Sequence, residues 1–219
     1  MKIAVFCVGN KLELDDGLGC AVYDELSRGY DFDEDVDLFD VGCMSLDLLD
    51  CVRAYDFIVS VDAVDGSGEE VGTVFRYAPE DMAGRSFGSQ SLHDLRLSDL
   101  FESAALLGYK AEGICLGMQV DNISPAELTI GLTPKVNERL PYLVDCVLAE
   151  LVGHGARIVS RRTGQVVTPG YAHVPIGEQG IDGLTLPNEG QRSLMKQSAH
   201  SGLRARQKSR PKWTHWWLM

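Results

Sequence analysis

The sequence predicts an α/β domain: a single twisted, mostly parallel sheet with helices on both faces, in a three-layer architecture. Three observations lead there. Uninterrupted apolar runs rich in β-branched residues, above all Ile3 to Val8, the stretch inside Asp56 to Asp65, and Ala111 to Val120, read as strands buried on both sides. Segments with apolar residues at helical spacing alternate with these runs. Polar residues gather where the strands end, at the carboxyl edge where open α/β sheets place their chemistry.

The first strand passes directly into GNKLELDDGLG, which sets Asp15 and Asp16 before Gly17-Leu18-Gly19. Leu18, Val22 and Leu26 then share one helical face. Either aspartate can act as an N-cap, accepting amide hydrogens of the first turn. That role accounts for one carboxylate more readily than for two. Arg28 to Asp35 reads as a polar connection and Val36 to Val41 as the second strand. After Gly42-Cys43, the residues Leu46, Leu48, Leu49 and Val52 outline a short amphipathic helix. The apolar run of Asp56 to Asp65 is the clearest central strand and ends at Asp62, so this carboxylate emerges at the same edge as Asp16.

Gly66 to Glu70 is a turn, and Gly72 to Tyr77 reads as an edge or antiparallel strand. A polar loop from Ala78 to Ser91 leads to Leu92-His93-Asp94, where His93 stands in or just before the first turn of a helix continued by Leu100, Phe101, Ala104 and Leu106. The strand Ala111 to Val120 ends at Asp121-Asn122. Thr133 then suits the N-cap and Pro134 the first position of a last helix. Val136, Leu140, Leu143, Val144, Val147, Leu148 and Leu151 form its apolar face, and Gly153-His154-Gly155 stops it. The domain is expected over residues 1–155. Residues 156–219 read as a basic, irregular extension, ending in RARQKSRPKWTHWWLM with Trp213, Trp216 and Trp217.

Composition narrows the function. With 219 residues, 45% of them hydrophobic, the chain can bury a core without disulfides. The six cysteines fall singly, with no CxxC pair, and read mostly as core thiols. Residues 1–156 hold 10 Lys and Arg against 29 Asp and Glu, a net −19. Residues 157–219 hold 10 against 3, a net +7. A body this acidic argues against a nucleic-acid groove, which needs a positive field against phosphate, and the basic tail lacks a recognisable nucleic-acid motif. No apolar stretch reaches the roughly 18 residues of a membrane span, and the start reads as a strand rather than a signal peptide. A soluble cytoplasmic protein is the simplest expectation.

Asp16, Asp62 and His93 therefore come from strand-to-helix junctions or the loop above them. Two carboxylates and an imidazole suit a hard or borderline metal ion, with water or a substrate group completing the coordination. Caps and local hydrogen bonds are the competing account of the same three residues.

Read together, GNKLELDDGLG, the strand into Asp62-Ala63, Ser91-Leu92-His93 before a helix, and Gly131-Leu132-Thr133-Pro134 before the last helix resemble the hydrogenase maturation endopeptidases. The resemblance spans about residues 1 to 152. It implies one twisted sheet flanked by helices, with Asp16, Asp62 and His93 as metal-contacting and catalytic positions. The first of these is Glu in some relatives, and Asp16 shortens that reach by one methylene while keeping an anionic oxygen. Cys43 stands where relatives often carry a small hydroxyl residue, and reads as a tolerated substitution rather than a nucleophile.

By that resemblance the substrate is the precursor of a nickel-iron hydrogenase large subunit. A short carboxyl-terminal extension is cut off once nickel is in place. The nickel is carried by the substrate and met transiently, with no resident cofactor. Hydrolysis would be of aspartyl type, with a metal-polarised carbonyl or water assisted by a carboxylate base. Which group activates the water stays open. Three rivals remain: a Rossmann nucleotide module, a non-catalytic chaperone binding nickel or the precursor, and a different metallohydrolase. The first fits poorly, since the sequence lacks GxGxxG and Asp15-Asp16 would repel phosphate.

Overall fold

The computed structural model describes residues 1–42, 48–77, 97–109 and 112–168. Their elements are β1 (Ile3–Val8), a 3-10 turn (Leu14–Gly17), α1 (Leu18–Gly29), β2 (Tyr30–Phe32), β3 (Val36–Gly42), α2 (Leu49–Ala54), β4 (Phe57–Val64), β5 (Val74–Tyr77), α3 (Leu97–Leu106), β6 (Glu112–Gln119), α4 (Pro134–Gly153) and β7 (Ile158–Ser160). The main sheet has the order β3-β1-β4-β6-β5. All its pairings are parallel except β5 against β6, so β5 is both an edge strand and an antiparallel one.

The uninterrupted apolar strands are explained by cover on both faces. Ile3, Val5 and Cys7 of β1 look toward α1 and α4, joining Leu18, Val22 and Leu26 with Val136, Leu143, Val147 and Leu151. The alternate residues Ala4, Phe6 and Val8 look the other way, joining Val52 of α2 and Leu100 and Ala104 of α3. Helices thus cover both sides of the sheet, as the three-layer expectation required. Each fully buried Leu, Ile or Val in these clusters contributes about 1.5–3 kcal/mol. Among the described residues no helix is long and apolar enough to cross a membrane.

Two elements depart from the sequence reading. Residues 28–35, expected as a polar connection, contain β2, whose Tyr30 is buried. Its partner is β7, antiparallel, with Tyr30 opposite Ser160 and Phe32 opposite Ile158. Both strands are three residues long and far apart in the chain, so neither leaves a periodic signal. Ile158 and Val167 are buried in the larger core cluster. Packing therefore continues at least to Val167, past the expected end at 155. Trp213, Trp216 and Trp217 of the expected extension lie outside the described residues.

Candidate active site

The site begins where β1 ends. Gly9 has φ +140°, and a Cβ there would lie 1.9 Å from the Asp16 carbonyl oxygen. A Cβ on Gly19 would lie 2.0 Å from the carbonyl oxygen of Val8. Only glycine at both positions lets the Leu14–Gly17 turn and the start of α1 close down on the strand end. The first residue of that turn, Leu14, is held at φ 52°, a left-handed conformation unusual for leucine. The Asp16 carboxylate is half-buried, and its Oδ2 accepts the Asn10 N–H at 2.8 Å.

Asp62 comes from the neighbouring strand. The β1–β4 register pairs Cys7 with Val61, which puts Asp62 one residue beyond the last paired residue of β1. On its other side Asp62 stands opposite Gly117 of β6. Its half-buried carboxylate accepts the Ala63 N–H at 2.8 Å through Oδ1. The turn that carries Asp16 packs against β4, which carries Asp62. Two central strands thus deliver the two carboxylates to one sheet edge. The field of Asp62 reaches Cys115 on β6: burial first, then this negative charge, pushes that thiol well above its ordinary range.

The two adjacent aspartates have separate tasks. Asp15 is fully buried. Its Oδ1 accepts the Thr133 N–H at 2.6 Å, and its Oδ2 accepts Asp121 N–H at 3.2 Å, Asn122 N–H at 3.0 Å and the Thr133 hydroxyl at 2.9 Å. It ties the Asp16 turn to the exit of β6 and the start of α4. Neither aspartate caps α1, whose N-cap is Gly17. Thr133 does occupy the N-cap of α4 with Pro134 behind it, but its hydroxyl goes to Asp15 and makes no cap bond. Sequence reasoning missed this role of Asp15, because the amides it accepts lie more than a hundred positions away.

Other groups set the edge. The Gly9 N–H donates to the Gly42 carbonyl at 2.9 Å, fixing the end of β3 beside the turn. Gln119 holds the turn after β4 by accepting the Ser67 N–H at 3.0 Å and the Ser67 hydroxyl. The Cys20 thiol donates to the Gly9 carbonyl and to Asp40, each at 3.4 Å. Burial and the hydrogen bond to Asp40 push it up to about 11, so it is a protonated donor at neutral pH and not a nucleophile. Cys7, Cys20 and Cys115 are buried, in line with their reading as core thiols. His93 and Cys43 lie outside the described residues. Among the described residues no group of three or more His, Cys, Asp or Glu is assembled to hold a metal.

Fold and site together define a three-layer α/β protein whose central strands present carboxylates at their carboxyl ends. Comparison with known proteins gives that class a family. Residues 20–150 match the family described as HycI, hydrogenase maturation protease, and the chain belongs to it. It is 31% identical over 178 residues to the hydrogenase expression/formation protein HupD of Thiocapsa roseopersicina, covering 78% of this chain and 77% of that one. It is 26% identical to the hydrogenase 2 maturation protease of Escherichia coli K12, covering 74% and 97%. The solved structure of the hydrogenase maturating endopeptidase HybD from E. coli superposes with a TM-score of 0.67 at 26% identity, over 74% of this chain and 99% of that one. The enzyme class is endopeptidase, of the hydrogenase-maturation type.

Proposed function

We propose that this endopeptidase removes a short carboxyl-terminal extension from the precursor of a nickel-iron hydrogenase large subunit, in the cytoplasm and after nickel insertion. Asp16, Asp62 and His93 meet the nickel that the precursor carries. The observation that carries this reading is the delivery of Asp16 and Asp62 to one sheet edge by neighbouring strands, in a chain of this family.

The chemistry of the donor set supports it. Two carboxylate oxygens and an imidazole nitrogen suit a borderline divalent ion, and three protein ligands leave room for a substrate group or water. Nickel brought by the precursor polarises the scissile carbonyl or a water. Water adds to the carbonyl carbon as a carboxylate takes its proton, the C–N bond breaks, and the new amine leaves protonated. Asp16, held by the Asn10 N–H, and Asp62, held by the Ala63 N–H, are oriented before substrate arrives. Preorganisation of this kind lowers the cost of reaching the reactive geometry.

The test is direct. Asp16→Ala, Asp62→Ala and His93→Ala should each abolish processing of nickel-loaded precursor while leaving the circular dichroism of the domain unchanged. Full activity in all three purified variants would remove the proposed site.

A further inference from the structure

Beside the Asp16 turn the fold leaves apolar side chains uncovered: Leu128 and Ile130 are each 76% exposed, and Leu12 is 42% exposed. They belong to one small framework. The Thr129 N–H donates to the Leu12 carbonyl at 2.9 Å, and the Thr129 carbonyl accepts the Leu14 N–H at 2.8 Å. This is a parallel bridge between Glu13 and Thr129. Its register sets Leu12 beside Leu128, and residues opposed in this way share a face. Asp15 locks the framework from beneath through Asp121, Asn122 and Thr133. The apolar patch is thus continuous with the turn that presents Asp16.

The bridge also has an outer edge. Along an extended backbone, N–H and C=O groups alternate sides, and Thr129 spends both of its own inward. Those of Leu128 and Ile130 therefore face out. Proteins usually blunt such an edge with a charge or proline, but residues 128–131 are Leu-Thr-Ile-Gly. The charge around it is one-sided, with Lys11 the only cation among residues 10–16 and 121–133 against Glu13, Asp16, Asp121 and Glu127, besides the buried Asp15.

The geometry points to the Leu128–Ile130 edge as the docking strand for the polypeptide being cleaved. An extended segment of the substrate adds alongside it, seats alternate apolar side chains on Leu12, Leu128 and Ile130, and brings a basic residue toward the acidic rim. Main-chain bonds then give affinity and the apolar seats give selectivity. This inference rests on the endopeptidase reading above, and deepens it by naming where the substrate lies.

The experiment measures initial cleavage rates of the full chain against nickel-loaded precursor over a range of precursor concentrations. Three proteins are compared: wild type, Leu128→Ser/Ile130→Ser, and a remote control, Leu106→Ser/Leu107→Ser, whose leucines are also exposed. The docking variant should show KM raised about tenfold, the loss of roughly 1.4 kcal/mol of binding, with the rate recovered at saturating precursor. The control should keep the wild-type KM. An unchanged KM in the docking variant, with wild type active, overturns the docking strand and leaves the endopeptidase reading standing. Failure of wild type to bind or cleave any nickel-loaded precursor overturns both. Self-association of wild type that the docking variant abolishes, with KM unchanged, would assign the edge to a second copy of this chain and overturn the proposal.

Discussion

At the scale of single residues, Asp15 and Asp16 are neighbours in sequence and opposites in use. Asp15 is sealed in the core with four donors around it, while Asp16 is half-buried at the sheet edge. Asp15→Asn would turn an amide NH2 toward groups that already donate, and should cost about 2–4 kcal/mol in urea unfolding. Asp16→Asn should cost less than about 1 kcal/mol in the same experiment while losing cleavage. Equal destabilisation by the two would contradict this division. The pair's position after the first strand was legible, because a local pattern fixes it. The division of labour was not, since it depends on backbone amides of Asp121, Asn122 and Thr133 brought in from the far end of the domain. Gly19 is a second such case. Its Cβ would strike the backbone of Val8, so Gly19→Ala should cost about 3 kcal/mol or more, read from the urea midpoint.

At the scale of elements, α4 was readable almost residue by residue. Its face from Val136 to Leu151 repeats at 3.6 residues, and those side chains are buried. β2 and β7 were invisible, since three residues carry no period and their pairing is long-range. Their contact makes a prediction for the tail. A chain ended after residue 156 loses Ile158 and Val167 from the core and strips β2 of its partner, so it should lose its near-ultraviolet circular dichroism and aggregate. One ended after residue 168 should keep the fold and the cleavage activity. Stable, folded protein from the shorter chain would contradict the role assigned to β7.

The clamp between β5 and α4 predicts a pH dependence. Arg76 bonds Glu150 through two nitrogens, at 3.0 and 2.7 Å, and His154, stacked on Phe57, lies 3.2 Å from the same carboxylate. Burial alone would raise Glu150, but Arg76, aided by His154, outweighs it and holds the carboxyl below its ordinary 4.5. A depressed carboxylate contributes stability that is complete above 4.5 and is lost as pH falls through the lower folded value. Glu150→Gln should therefore be less stable than wild type by about 1 kcal/mol at pH 7, a figure reduced by the exposure of Arg76. The gap should close as the solution is acidified below the ordinary carboxylate range. A gap unchanged with pH would show that the clamp does not titrate with folding.

At the scale of the whole molecule, fold class and family were legible because they rest on long segments: apolar strands, amphipathic helices and carboxylates at the strand ends. The seat for a substrate polypeptide was not, because Leu12, Leu128 and Ile130 become one patch only through the bridge at Thr129. The acidic body suits the proposed encounter with a cation carried by the substrate. The most direct test follows the mass of nickel-loaded and nickel-free large-subunit precursors after this protein is added. Loss of one defined carboxyl-terminal peptide from the nickel-loaded precursor alone is the predicted result. Binding without any loss of mass, or equal cleavage of the nickel-free precursor, would contradict a nickel-checked endopeptidase.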